Sequence, residues 1–275
     1  MKTIKYFNGL LAVGIVLSMV GCASRQMEAA PEKAPENHSA TTVGNPHWSY
    51  EGDTGPEYWG SLDPAFSACA NGTEQSPIDI ELADVKLDKT IDNININYKP
   101  TTFTIMNNGH TIQVNDASGS NSIIVDNDEY KLVQMHFHKP SEHQINGKNF
   151  EMEGHLVHKN SAGNLSVLGF LIKVGNENKE LAEMWSKLPP EKTEADINLE
   201  KSVDLFNLLP QDKKIFRYSG SLTTPTCSEE VKWLVLEQPI EMSKQQIDAF
   251  ASIFPHNNRP VQPLNERQVS TPDGH

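Results

Sequence analysis

Two short runs constrain this 275-residue chain more than any other feature: Gln134-Met-His136-Phe-His138 and Glu153-Gly-His155-Leu-Val157. Both suit a strand, on which successive side chains point to opposite faces. Gln134, His136 and His138 would therefore share one face, the two imidazoles about 6.7 Å apart along the strand. Glu153, His155 and Val157 would share one face of a second strand. If the strands pair across the connection Ser141-Glu142-His143…Lys148-Asn149, three imidazoles converge with an amide and a carboxylate beside them. Three histidines with an open fourth position describe a catalytic zinc site, in which such neighbours fix each ring's tautomer. A buried polar network is the other arrangement that this spacing allows.

The flanking sequence reads as a β-rich domain. Residues 93–98 alternate strictly, residues 102–106 form a second run, and Asn107-Asn108-Gly109 is a turn signal. Further strands are expected over 110–115, 122–125, 130–138, 151–158, 166–174, 215–218 and 231–237. The 166–174 run is apolar on both faces, so it belongs in the middle of a sheet. Residues 176–188 carry Leu181, Met184, Trp185 and Leu188 at helical spacing, stopped by Pro189-Pro190. Residues 201–209 read as a short helix, and 243–254 as an amphipathic one opened by the capping box Ser243-x-x-Gln246.

The first residues are set apart from that domain. Lys2 and Lys5 precede an apolar run of 11 residues at 10–20, too short to span a bilayer but suited to a signal peptide. Met19-Val20-Gly21-Cys22 resembles a bacterial lipobox, with Met19 where Leu is usual. The expected division is a signal peptide at 1–21, a lipidated Cys22 with a disordered tether to 45, and a catalytic domain at 46–275. Cleavage without lipidation is the alternative at Cys22. Of three cysteines, Cys69 and Cys227 then remain as an even pair in an oxidising compartment, where a disulfide is expected rather than two free thiols. The chain is thus read as exported, periplasmic or in the cell envelope. A net charge of −13 argues against nucleic acid as a partner.

Ten short motifs, in order from about His47 to Asn265, resemble the α-class carbonic anhydrases. They are His47-Trp48-Ser-Tyr50, Gln75-Ser-Pro-Ile-Asp79, Asn107-Asn-Gly-His110, the two histidine runs, Ser141-Glu-His143, Val167-Leu-Gly169, Tyr218-Ser-Gly-Ser-Leu-Thr-Thr-Pro225, Trp233 and Asn258-Arg-Pro260. The resemblance implies a mixed α/β fold dominated by β, a single domain with a large, mostly antiparallel twisted sheet and peripheral short helices. It implies Zn²⁺ on His136, His138 and His155, with Gln134 and Glu153 behind the ligands, and reversible hydration of CO₂ to bicarbonate and a proton by zinc-hydroxide attack. By the same resemblance Thr223 and Glu142 orient the hydroxide, Thr224 positions bicarbonate, and Val157, Val167, Leu222 and Trp233 form an apolar wall for CO₂. His110 takes the place of the proton shuttle, and Asn108, Gln113 and Tyr50 line its water network. Cys69 and Cys227 match a disulfide of exported members. His143 and His158 are expected to be structural, Tyr218 and Arg259 to support the fold, and the molecule to be a monomer or homodimer. A non-catalytic relative would typically lack one of the zinc histidines, all three of which are present. A zinc hydrolase of esters or peptides is disfavoured by the absence of His-Glu-x-x-His.

Overall fold

The computed structural model describes residues 47–91 and 94–272. The expected signal peptide, Cys22, the tether and His275 lie outside the described residues. Seven strands build the platform under the histidines: β1 (Thr104–Asn107), β2 (Ile112–Asn115), β3 (Asp128–His138), β4 (Met152–Lys159), β5 (Leu165–Val174), β6 (Ile215–Gly220) and β7 (Val231–Met242). They belong to a 12-stranded sheet in the order β1-β2-β3-β4-β5-β7-β6, with Ile197–Asn198 beyond β1 and Ser270–Thr271 beyond β6. Pairing is antiparallel throughout this set except between β5 and β7. The mostly antiparallel sheet and short helices are those expected from the sequence, and β5 lies centrally, as its two apolar faces require.

One face of the sheet packs on a large apolar core that includes Phe137, Leu156, Leu168, Phe170 and Leu236, and that also takes in Leu181, Met184 and Phe250 from helical segments. The other face carries the polar residues of β3 and β4 and a smaller cluster around Trp233. Strand parity sorts the two sets: Phe137 and Leu156 point into the large core, while His136, His138 and His155 point away from it.

Helices are shorter than their periodicity suggests. The expected helix over 176–188 is confined to α1 (Ala182–Ser186). Asn178 explains the late start, because its amide donates to the Glu241 carbonyl and its Oδ1 accepts from the Leu181 N–H. These bonds hold the preceding segment on β7 rather than in a helical ladder. The capping box is present, opening α2 (Lys244–Ala251). Strand β7 continues past its expected end through Pro239, which the sheet accommodates at a register shift opposite Leu171. Cys69 and Cys227 form a disulfide. Among the described residues no helix is long and apolar enough to cross a membrane.

Candidate active site

β3 and β4 pair in a register that sets His155 opposite His136, Glu153 opposite His138 and Val157 opposite Gln134. Paired residues project from the same face of a sheet, so the three imidazoles meet. Their ring centroids are separated by 4.9 Å (His136–His138), 5.1 Å (His136–His155) and 4.7 Å (His138–His155).

One nitrogen of each ring faces an acceptor. His136 Nδ1 donates to Gln134 Oε1 at 2.8 Å, His138 Nδ1 to the Asn257 carbonyl at 2.7 Å, and His155 Nε2 to Glu153 Oε1 at 2.8 Å. Carbonyl and carboxylate oxygens accept only, so these nitrogens carry the protons of neutral imidazoles. That leaves His136 Nε2, His138 Nε2 and His155 Nδ1 as bare lone pairs on the inner side. His136 Nε2 and His155 Nδ1 stand 3.3 Å apart, and His138 Nε2 is buried with no hydrogen-bond partner among the described residues. Burial also holds all three rings below the usual imidazole pKa, His138 at about 4. Three proton-free lone pairs turned on one another repel unless a cation lies between them, and a trio of imidazole nitrogens suits zinc. The residues present therefore fit the metal that the sequence implies.

Glu153 anchors this arrangement. Its Oε1 accepts from His155 and from His143 Nδ1 at 2.7 Å, while Oε2 accepts from the backbone N–H groups of Glu142 and His143. Although burial pushes its carboxyl up, the His143 and His155 imidazoles hold its pKa well below the usual carboxylate range. His143 Nε2 in turn meets the Tyr218 hydroxyl at 2.7 Å, which meets Ser76 Oγ at 2.8 Å. His143, Glu153 and His155 are thus also close enough to share an ion. Their facing atoms, however, already pair donor with acceptor, so His143 has the structural place expected of it.

Glu142 is buried beside the trio, with Oε1 accepting the Arg259 backbone N–H at 2.8 Å and Oε2 4.0 Å from His155 Nδ1. Burial pushes its pKa up to about 7, against the opposing pull of His155, the Arg259 N–H and the Thr223 hydroxyl. Thr223 acts at longer range than a formed bond, because Oε2 has no partner in hydrogen-bond geometry. A divalent cation on the three imidazoles would favour the carboxylate form. Thr224 is half-buried in the same loop, which the Cys227 N–H tightens by donating to the Thr224 carbonyl at 2.7 Å.

The expected apolar wall is one row of the sheet. Val157 lies opposite Val167 and Val167 opposite Trp233, with Leu222 packed against the same cluster. The row shares the imidazoles' face, and the Trp233 ring is centred 4.9 Å from that of His155. His110 stands apart on the turn after β1, half-buried, its ring stacked 3.7 Å from Trp48 at an interplanar angle of 7°. Burial lowers its pKa, aided by His47 and Lys192. With His47, Trp48, Tyr50 and His256 it lines a depression of about 440 Å³.

Asn257 escaped the sequence reading. Its carbonyl orients His138, while its Nδ2 donates to the carbonyls of His110 and Phe137, joining the histidine trio to the His110 turn. Its neighbourhood to the Asn258-Arg-Pro260 motif was the only available signal, since a backbone carbonyl leaves no mark on residue type.

A β-sheet platform carrying three converging imidazoles that could hold a metal ion is the arrangement expected of a carbonic anhydrase. The chain matches the family model for eukaryotic-type carbonic anhydrase over residues 54–273. It is 44% identical over 232 residues to a carbonic anhydrase of Pectobacterium atrosepticum (84% of this chain, 93% of the relative). A carbonic anhydrase of Nostoc is likewise 44% identical over 229 residues (81% and 85%). The α-carbonic anhydrase of Thermovibrio ammonificans, solved with the inhibitor sulfanilamide, superposes with a TM-score of 0.79 at 44% identity, covering 82% of this chain and all (100%) of that one. The chain belongs to the α-carbonic anhydrase family.

Proposed function

We propose that this chain catalyses the reversible hydration of CO₂ to bicarbonate and a proton at a zinc ion held by His136, His138 and His155. The observation that carries the reading is the convergence of three imidazole nitrogens whose outer partners leave them without protons. Zinc bound there supplies what it is known to supply in carbonic anhydrases, a water acidified to a pKa of about 7 and so a nucleophile at neutral pH.

The chain's own residues provide the rest. Gln134, the Asn257 carbonyl and Glu153 keep the three rings neutral and aimed inward. Glu142, held by the Arg259 N–H, takes a hydrogen bond from the Thr223 hydroxyl. Thr223 is then left with its lone pair facing the attacking oxygen, which sets that oxygen's orientation. Val157, Val167, Leu222 and Trp233 offer CO₂, a weakly hydrated and uncharged molecule, a dry surface beside the nucleophile, and Thr224 receives bicarbonate. His110 carries the released proton to solvent: its ring stacks on Trp48 and lines an open depression, and burial keeps it neutral and able to accept at neutral pH. The Cys69–Cys227 disulfide supports a location outside the cytoplasm. A lipid on Cys22 would then tether the domain to a membrane.

Stopped-flow CO₂ hydration of wild type and His136→Ala tests the site. Loss of one ligand is expected to lower hydration by at least about a hundredfold; undiminished hydration in the variant would sink the assignment.

A further inference from the structure

A file of side-chain amides runs from the His110 turn out to the molecular surface. Asn108 Oδ1 accepts from the backbone N–H groups of His110 and Thr111, each at 2.9 Å. Asn108 Nδ2 donates to Gln113 Oε1 at 3.2 Å, Gln113 Nε2 to Asn115 Oδ1 at 2.7 Å, and Asn115 Nδ2 to Asp196 Oδ2 at 2.8 Å. Asp196 also accepts from the Thr104 hydroxyl on β1.

Every amide in the file points the same way, and both ends enforce that direction. Backbone N–H groups only donate, and a carboxylate only accepts. Turning any amide over would set donor against donor on one side and acceptor against acceptor on the other. The file therefore has a single consistent arrangement, and Asp196 terminates it. Gln113 and Asn115 lie on β2 opposite His136 and Gln134, so the file runs along the edge of the reaction centre.

The segment that supplies Asp196 grips the turn from its other side as well. Asn107 Nδ2 donates to the Pro189 carbonyl at 3.1 Å, and the Thr193 N–H donates to the Asn107 carbonyl at 2.9 Å. Asn107 Oδ1 then accepts the Gly109 N–H at 2.9 Å. Residues 189–198 thus clasp the turn through Asn107 and through the amide file.

We propose that Asp196 is a positioning residue for proton export: acting through Asn115, Gln113 and Asn108, it holds the turn so that the His110 ring keeps its place against Trp48. The inference rests on His110 as the proton carrier. An exposed carboxylate far along the chain from the imidazoles then acts on a late step alone, because the proton leaves after CO₂ has been converted.

The test is stopped-flow hydration in dilute and in imidazole-rich buffer for wild type, Asp196→Ala, Asp196→Asn and His110→Ala. kcat includes proton export and kcat/KM does not, so the two separate bracing from general damage. Asp196→Ala is expected to lower kcat in dilute buffer about threefold to tenfold, less than the roughly hundredfold that misplacing a reacting group by 1 Å can cause. Its kcat/KM stays at the wild-type value, and imidazole restores kcat. Asp196→Asn keeps an acceptor oxygen and retains kcat. Wild-type kcat in Asp196→Ala, a parallel fall of kcat and kcat/KM, or an Asp196→Asn variant as slow as the alanine would each overturn the proposal. His110→Ala separates the two claims. If it slows in dilute buffer while Asp196→Ala does not, the brace alone fails. If it does not slow, His110 carries no proton and both fail.

Discussion

At residue scale, His158 shows how one ring in a histidine-rich stretch is kept apart from the His136, His138 and His155 trio. It follows His155 by three positions, and its Nε2 meets the Tyr98 hydroxyl at 2.7 Å on the opposite side of the sheet. Burial drives its pKa down to about 3, whereas an imidazole in the unfolded chain titrates near 6.5. The folded value lies below the unfolded one, so the unfolded chain binds the extra proton between them. The resulting stability is complete above about pH 6.5 and is lost as pH falls toward 3, on the order of 5 kcal/mol over the full range. His158→Gln is expected to give urea midpoints that decline less steeply than wild type between pH 7 and pH 4; parallel declines would contradict this. Strand parity made the convergence of His136, His138 and His155 and the exclusion of His158 legible in the sequence. The proton positions were not, because one of the three orienting acceptors is the carbonyl of Asn257, 119 residues beyond His138.

At the scale of elements, the pairing of β3, β4 and β5 turns separated residues into a site, and that pairing depends on a close approach at Gly154. Gly154 pairs with Phe137 on one side and Phe170 on the other, and a Cβ there would fall 2.2 Å from Phe170 Cζ. The neighbouring Glu153 and His155 point to the opposite face, so an added methyl would strain the backbone that sets both. Gly154→Ala is expected to cost about 1–3 kcal/mol of stability by overpacking, read from denaturant unfolding; an unchanged midpoint would show that Phe170 yields freely. The strands were legible because each carries a period-two pattern or an unbroken apolar run. The helix expected over 176–188 was only partly so, since the tertiary bond of Asn178 to Glu241 holds the start of that segment on β7 against its local periodicity. The amide file from Asn108 to Asp196 was invisible for the same reason: it exists only once a turn, strand β2 and a distant loop align its members.

Across the whole molecule, loops remote in sequence come together on the sheet and hold the Glu142 carboxylate. The buried Arg259 guanidinium donates to Gln75 Oε1 and to the carbonyls of Ser76 and Cys69, while its backbone N–H holds Glu142. Burial lowers the pKa of this cation to about 10, with the Glu142 charge opposing the shift. Gln75 donates in turn to the Cys227 carbonyl, so both halves of the disulfide are tied to the same network. That disulfide spans 158 residues and, by loop-closure entropy, is worth on the order of 5 kcal/mol. All of this serves one claim, that three proton-free imidazole nitrogens hold a zinc ion on which CO₂ hydration depends. The most direct measurement strips the protein with a chelator and follows stopped-flow CO₂ hydration as zinc is added back. The account predicts that hydration disappears on stripping and returns in proportion to added metal, levelling at about one equivalent of zinc per chain. Hydration that persists in the stripped protein, or that does not return with zinc, would contradict it.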